Sequence, residues 1–131
     1  MTQTPEELRY VKDHHWIRTA GPATIRLGVT DFAQESLGDV VAVDLPRVGS
    51  RVRAGYTCGE IESTKSVNDL VAPIDGTITA INDAVVDEPE LTNTDPYGEG
   101  WLFEIEADST MFEHQLGNLI DAAAYRALTG K

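Results

Sequence analysis

Apolar and polar residues alternate along most of the chain at a period of two, in runs too short for helices. Turn residues interrupt them roughly every 8–12 positions, the spacing of an all-β domain. Residues 16–19 and 23–27 form one such pair, joined by Ala20-Gly21-Pro22 as a hairpin turn. Residues 40–45 are apolar and β-branched, a buried strand stopped by Pro46. Val48-Gly49-Ser50 then turns the chain into a short strand at Arg51-Val52. Residues 77–81 alternate cleanly, and 101–106 make a last strand entered through the turn-rich stretch 95–101. Between these two, 82–93 reads as loop, with a helical turn beginning at Pro89. Helical signals are few. Thr30 is a cap for a short helix over 31–37, where Asp31 suits the positive end, Phe32, Ala33 and Leu37 supply apolar contacts, and Gly38 closes it. In the tail, Ser109 caps a segment bearing Met111, Phe112, Leu116 and Leu119, and 121–128 is rich in helix formers. The pattern predicts a mainly β fold: a flattened antiparallel barrel or sandwich, with short peripheral helices and a helical C-terminal tail.

The centre of the pattern is a hairpin over residues 59–72. Ile61 faces one side of a strand over 59–63, and Glu60 and Glu62 face the other. A second apolar run, 67–72, ends at Pro73, which cannot donate to a ladder. Lys65 sits at the tip among the small hydroxyl residues Ser63, Thr64 and Ser66. The flanks match: Gly55 lies ten residues before Lys65 and Gly76 eleven after it, as if two similar β-halves meet at the turn. A lysine in a turn is ordinarily just solvated. A lone primary amine on a tight, small-residue turn is also what an acylating enzyme requires. Lysine amines are nearly all charged at neutral pH, so that enzyme must reach the group and supply its own activation.

Composition narrows the partners. The 131 residues, 41% of them hydrophobic, make one domain, with a β-core over about 8–107 and a helical segment over about 109–128. A net charge of −12 argues against nucleic acid and anionic membrane surfaces, and favours partners with basic docking patches. No apolar run approaches the ~18 residues of a membrane span, and residues 1–7 lack a basic start and an apolar signal core; the expectation is a cytoplasmic protein. The single cysteine, Cys58, excludes an internal disulfide, fits a reducing compartment, and reads as a buried small hydrophobe.

Catalytic constellations are missing from the sequence. His14, His15, His114 and Cys58 show no paired metal spacing, and there is neither a phosphate-binding glycine loop nor a Gly-x-Ser-x-Gly elbow. Asp87, Glu88 and Glu90 read as a solvated acidic loop, with a weak divalent-ion site as the sharper alternative. Trp16 reads as a core anchor with His14 and His15 at its rim. A displayed lysine on an acidic β-domain without chemistry of its own suggests a carrier, not an enzyme.

Glu62-Ser63-Thr64-Lys65-Ser66 in its hairpin resembles the lipoylation site of the H proteins of the glycine cleavage system. The likeness continues through Gly28-Val29-Thr30-Asp31-Phe32-Ala33-Gln34, Leu37-Gly38-Asp39-Val40-Val41, Asp44-Leu45-Pro46, Val48-Gly49, Ala72-Pro73 and Gly76. Its most distinctive block is Asp95-Pro96-Tyr97-Gly98-Glu99-Gly100-Trp101-Leu102, and it spans roughly residues 8 to 128. Biotin carriers flank the acceptor lysine with methionines, and lipoyl domains of 2-oxoacid dehydrogenases carry Asp-Lys-Ala; here the neighbours are Thr64 and Ser66.

The resemblance implies a fold of the biotinyl/lipoyl type, a monomer, and lipoate joined to Lys65 as an amide. It implies a shuttle: pyridoxal-phosphate-dependent glycine decarboxylase loads an aminomethyl group on the arm, and a tetrahydrofolate-dependent aminomethyltransferase takes the one-carbon unit and frees ammonia. Dihydrolipoyl dehydrogenase then reoxidises the dithiol, and a lipoate-attaching enzyme installs the arm. Asp69 matches an acidic family position suited to greeting the loaded amine. His15 stands where the family usually has an acid, which makes that second contact pH-dependent. Glu62 matches a position where lipoyl-attaching enzymes often meet an acid, and Val71 replaces a tyrosine common among relatives. The alternatives are a lipoyl or octanoyl donor in protein lipoylation, an H-like carrier for another complex, or an unmodified structural β-domain.

Overall fold

The computed structural model describes residues 3–11, 14–108 and 119–130. Alternating residues become strands in two antiparallel sheets, which do not close into a barrel. The larger sheet has six strands, in the order β1 (Arg9–Val11), β2 (His15–Thr19), β3 (Thr24–Val29), β9 (Phe103–Ala107), β8 (Gly76–Ile81) and β5 (Arg51–Val52). The smaller has three, β4 (Val40–Asp44), β6 (Thr57–Ser63) and β7 (Val67–Val71), with β4 and β7 at its edges. The two flanks of the central hairpin run side by side without their glycines pairing: Val52 on β5 pairs with Gly76 on β8, and Gly55 N donates to Ala72 O at 2.9 Å.

Successive strand residues face opposite sides, which divides the core in two. Ile17, Ile25, Leu27, Phe103 and Ile105 of the large sheet pack with Val40, Val43, Ile61 and Leu70 of the small one. Trp16 turns the other way and joins Leu8, Tyr10, Ala122 and Tyr125. That second cluster is closed by a C-terminal helix over Ala122–Thr129, capped by the Asp121 side chain, which accepts from Ala124 N at 2.8 Å. Burial raises the phenol of Tyr10, and pushes those of Tyr97 and Tyr125 up to about 12.

The distinctive block at 95–101 folds as a docked turn. Trp16 Nε1 donates to Pro96 O at 2.8 Å, and the indole lies so close over Gly28 that a Cβ there would sit 2.7 Å from Nε1. The Tyr97 hydroxyl accepts from Asp31 N at 2.9 Å and donates to Gln3 O at 2.7 Å. These contacts tie the turn to the start of helix α1 (Asp31–Leu37).

Several expectations need correction. Residues 82–93 are not a plain loop: α2 (Asp83–Asp87) is capped by Asn82, whose Nδ2 also donates to Glu99 O and Trp101 O at 2.7 Å each. The helical turn at Pro89 is present, since Pro89 O accepts from Thr92 N at 3.1 Å, and it leads into α3 (Leu91–Thr94). Strand β1 was not expected; it pairs with β2 and bridges Tyr10 to Ile120, just before the C-terminal helix, numbered α4. Cys58 is half-buried rather than buried, its thiol pushed up to about 11 by that burial. Asp87, Glu88 and Glu90 are exposed, and no cluster among the described residues could hold a metal ion. The helix expected from Ser109 lies outside the described residues, although Leu119 packs against the main core. No helix among the described residues is long and apolar enough to cross a membrane.

Candidate functional site

The tip of the β6–β7 hairpin is a serine-centred turn. Ser63 is buried, its N–H donates to Ser66 O at 2.9 Å, and its Oγ accepts from Lys65 N and Ser66 N at 3.2 Å each. Such a hydroxyl stands in for main-chain partners and fixes a tight turn. Thr64 N donates across to Asp39 O at 3.1 Å, which ties the tip to the connection between α1 and β4. Lys65 is exposed and makes no ion pair with a described residue. Its stem runs beside Gly38, where a Cβ would sit 3.4 Å from Lys65 Cε. Gly38 has φ 78°, a left-handed conformation that disfavours other residues as well.

One side chain braces that neighbourhood and is invisible in the sequence pattern. Asn93, next to the end of α3, accepts from Val40 N at 2.9 Å and donates to Gly38 O at 2.7 Å and Gln34 Oε1 at 3.1 Å. It therefore clamps the end of α1 and the start of β4 on either side of Asp39, the residue that holds the tip. An asparagine in a presumed loop carries no periodic signal that could have marked it.

Beside the tip a groove of about 450 Å³ opens between the edge strand β7 and the large sheet. Its apolar lining is Val29, Phe32, Ala33, Leu37, Ile61 and Leu70. Its polar lining is His14, His15, Ser36, Ser66, Asn68 and Asp69. The structure thus brings Asp69 and His15 to one cavity, whose lining begins one residue after Lys65. His15 is buried at 3% exposure, opposite Val29 in the β2–β3 register; Asp69 is exposed on β7. Glu62 is elsewhere. It lies on the outer face of the small sheet, level with Ala42 and Val67. Val71 pairs with Thr57 at the far end of the hairpin and is half-buried.

The groove wall is held from behind. The Thr30 side chain caps α1 by accepting from Ala33 N at 3.1 Å. The Tyr125 hydroxyl, from α4, lies 2.7 Å from Thr30 Oγ1 and 2.8 Å from His14 Nδ1. His14 takes a left-handed backbone, φ 68°, uncommon for a residue other than glycine. Its ring packs between Phe32 and Tyr125, with centroids 5.1 and 5.7 Å away. One phenol oxygen thereby ties the start of β2 to the start of α1, where Thr30 N also donates to His14 O at 3.1 Å, and nothing local in the sequence connects residue 125 to residues 14 and 30.

The cavity fits a tethered aliphatic arm with a polar end. Its volume falls in the range of small-ligand sites, about 300–1,000 Å³. Its floor is hydrocarbon, Ser66, Asn68 and His15 stand on its polar side, and Asp69 lies on the strand that forms its rim. Comparisons with known proteins show the family. A family model described as "Glycine cleavage H-protein" matches residues 8–131. The glycine cleavage system H protein of Mycobacterium avium (strain 104) is 50% identical over 127 residues, 96% of each chain. That of Mycobacterium bovis (strain BCG / Pasteur 1173P2) is 51% identical over 129 residues, again 96% of each. The crystal structure of a glycine cleavage system H protein from Mycobacterium marinum superposes with a TM-score of 0.86 at 44% identity, covering 97% of this chain and 99% of that one. The chain belongs to the glycine cleavage H-protein family.

Proposed function

We propose that this chain is the lipoyl-bearing shuttle of a glycine cleavage system, carrying the aminomethyl group from glycine decarboxylase to the tetrahydrofolate-dependent aminomethyltransferase. It acts as a single domain, a cytoplasmic monomer, and is not itself an enzyme. The observation that carries this is Lys65: an exposed amine without an ion-pair partner among the described residues, on a braced turn beside an apolar groove. Lipoate joined there as an amide supplies a reducible disulfide at the end of a flexible arm.

The remaining work falls to this chain's own residues. Ser63 and Asp39 keep the turn rigid, so a modifying enzyme and three later partners (dihydrolipoyl dehydrogenase is the third) meet the same geometry. Tethering holds a reactive group near a docked active site at an effective concentration on the order of mM. The groove's hydrocarbon floor shields an arm folded back against it from water. Asp69 attracts a cationic amine at its end. His15 accepts a hydrogen bond from that amine when neutral and repels it when protonated. Glu62, on the outer face, is available to the lipoate-attaching enzyme.

The test is intact-mass measurement after exposure to lipoate and its ligase. A gain of one lipoyl group is expected, and none in Lys65→Arg, whose guanidinium is a poor acyl acceptor. The modified chain should then support glycine–bicarbonate exchange with the decarboxylase. A modified chain that supports no exchange, or a mass gain surviving Lys65→Arg, overturns the assignment.

A further inference from the structure

Three of the ten lysine and arginine residues crowd one concavity of about 400 Å³ at the end of the β6–β7 hairpin remote from Lys65. Arg47, Arg51 and Arg53 line it with Tyr56, over a floor that includes Pro46 and Cys58. Arg51 is held rigid by a bidentate pair with Asp108, at 2.8 and 2.7 Å. Arg47 and Arg53 form no ion pair among the described residues, and the Arg53 guanidinium stands 5.8 Å from the Tyr56 ring centroid. The carboxylates that act on Arg51 are Asp108 and Asp75, the latter accepting from Ala54 N at 2.8 Å. Arg47 and Arg53 thus add two guanidiniums beside the Arg51–Asp108 pair, a cationic spot on a chain of net charge −12.

Two exposed apolar residues accompany it: Tyr56 is 65% exposed, and Val48, in the adjoining turn, 59%. Arginine and tyrosine beside exposed hydrocarbon, without lysine, is the composition of the energetic centre of a protein interface rather than of ordinary surface. Most of this protein's surface repels acidic segments of other proteins, so this spot attracts them by contrast and fixes one orientation of encounter. Strand β6 runs from Thr57 to Ser63, which sets the spot roughly 20 Å from the lysine-bearing turn. A partner gripped there leaves Lys65 and the groove open.

We propose that this concavity docks an acidic segment of a partner protein, with aspartate or glutamate flanking an apolar side chain. The inference stands apart from the shuttle assignment, and its test uses the unmodified full chain. A synthetic glutamate-rich peptide with one central leucine is titrated into the ¹⁵N-labelled protein. Saturable amide shifts are expected around residues 47–57, weakening as salt is added. The double variant Arg47→Glu/Arg53→Glu, at two exposed positions, should lower the affinity at least about fivefold while the rest of its spectrum is unchanged. Tyr56→Ala should weaken binding with no change in the salt dependence. A peptide in which lysine replaces glutamate should leave these amides unmoved. Absence of saturable shifts, or equal binding by the double variant, overturns the proposal. So does self-association of the wild type in sedimentation that the double variant abolishes, because the occupant is then a second copy.

Discussion

Tyr125→Phe removes one oxygen and keeps the ring that stacks on Tyr10 at a centroid distance of 4.7 Å. Tyr125 is 1% exposed, so water does not replace the lost hydroxyl at no cost. Thr30 Oγ1, itself fully buried, loses a partner at 2.7 Å, and His14 Nδ1 loses one at 2.8 Å. A net hydrogen bond contributes about 0.5–1.5 kcal/mol, and stripping a buried group of its partner costs about 1–3 kcal/mol. The expected loss is therefore about 1–3 kcal/mol, since Thr30 still caps Ala33. At roughly 3–5 °C per kcal/mol for a chain of this size, the melting temperature should fall by about 3–15 °C. The local signature separates bracing from generic stability. Amide exchange should quicken in α1 and at His14, and not in the β8–β9 ladder, if hydrogen exchange is followed under conditions of local opening. Tyr125→Leu, which also removes the stack, should cost more and give the same local pattern. A Phe variant that melts within a degree of the wild type, with unchanged α1 exchange, would show that the phenol does not hold the groove wall.

Other outcomes follow from the same geometry. Asn93→Ala deletes three hydrogen bonds around Asp39 and should cost about 2–4 kcal/mol in urea denaturation; it should also slow the proposed lipoylation of Lys65, and an unchanged rate would detach the clamp from the tip. Gly28→Ala drives a Cβ into the Trp16 indole and should cost about 1–3 kcal/mol, with altered tryptophan emission as the local readout. Burial raises Cys58 from 9.0 to about 11 and Tyr97 and Tyr125 from 10.0 to about 12, so the unfolded chain gives up these protons first. Their contribution to stability is complete below pH about 9 and is lost as pH rises towards about 12; a urea midpoint constant across that window would contradict the burial.

The parts legible in the sequence were those with local causes. Thr30, Asp31 and Gly38 marked α1 because a cap, a first-turn acid and a left-handed stop act within a few residues. The Lys65 turn was legible for the same reason: Ser63 organises it from two residues away. Helix α2 was not, since Asp83–Asp87 is too short for a helical period and contains two valines, which favour strands. Strand β1 has three residues and owes its place to β2 and to Ile120. The groove was legible on one side only. Resemblance marked Asp69 and His15, but its floor comes from β3, α1, β6 and β7, and its brace from residue 125. Those pairings are long-range, and period and propensity do not encode them.

Strand β7 forms an open margin of the small sheet and borders the groove. A margin of that kind invites another polypeptide to zip onto it, the first step towards aggregates. Here the invitation is brief: the strand has five residues, and Asn68 and Asp69 stand in its middle, exposed. A carboxylate at position 69 thus also deters stray strands, so replacing it with valine should make the chain more prone to clump, read as light scattering on concentration.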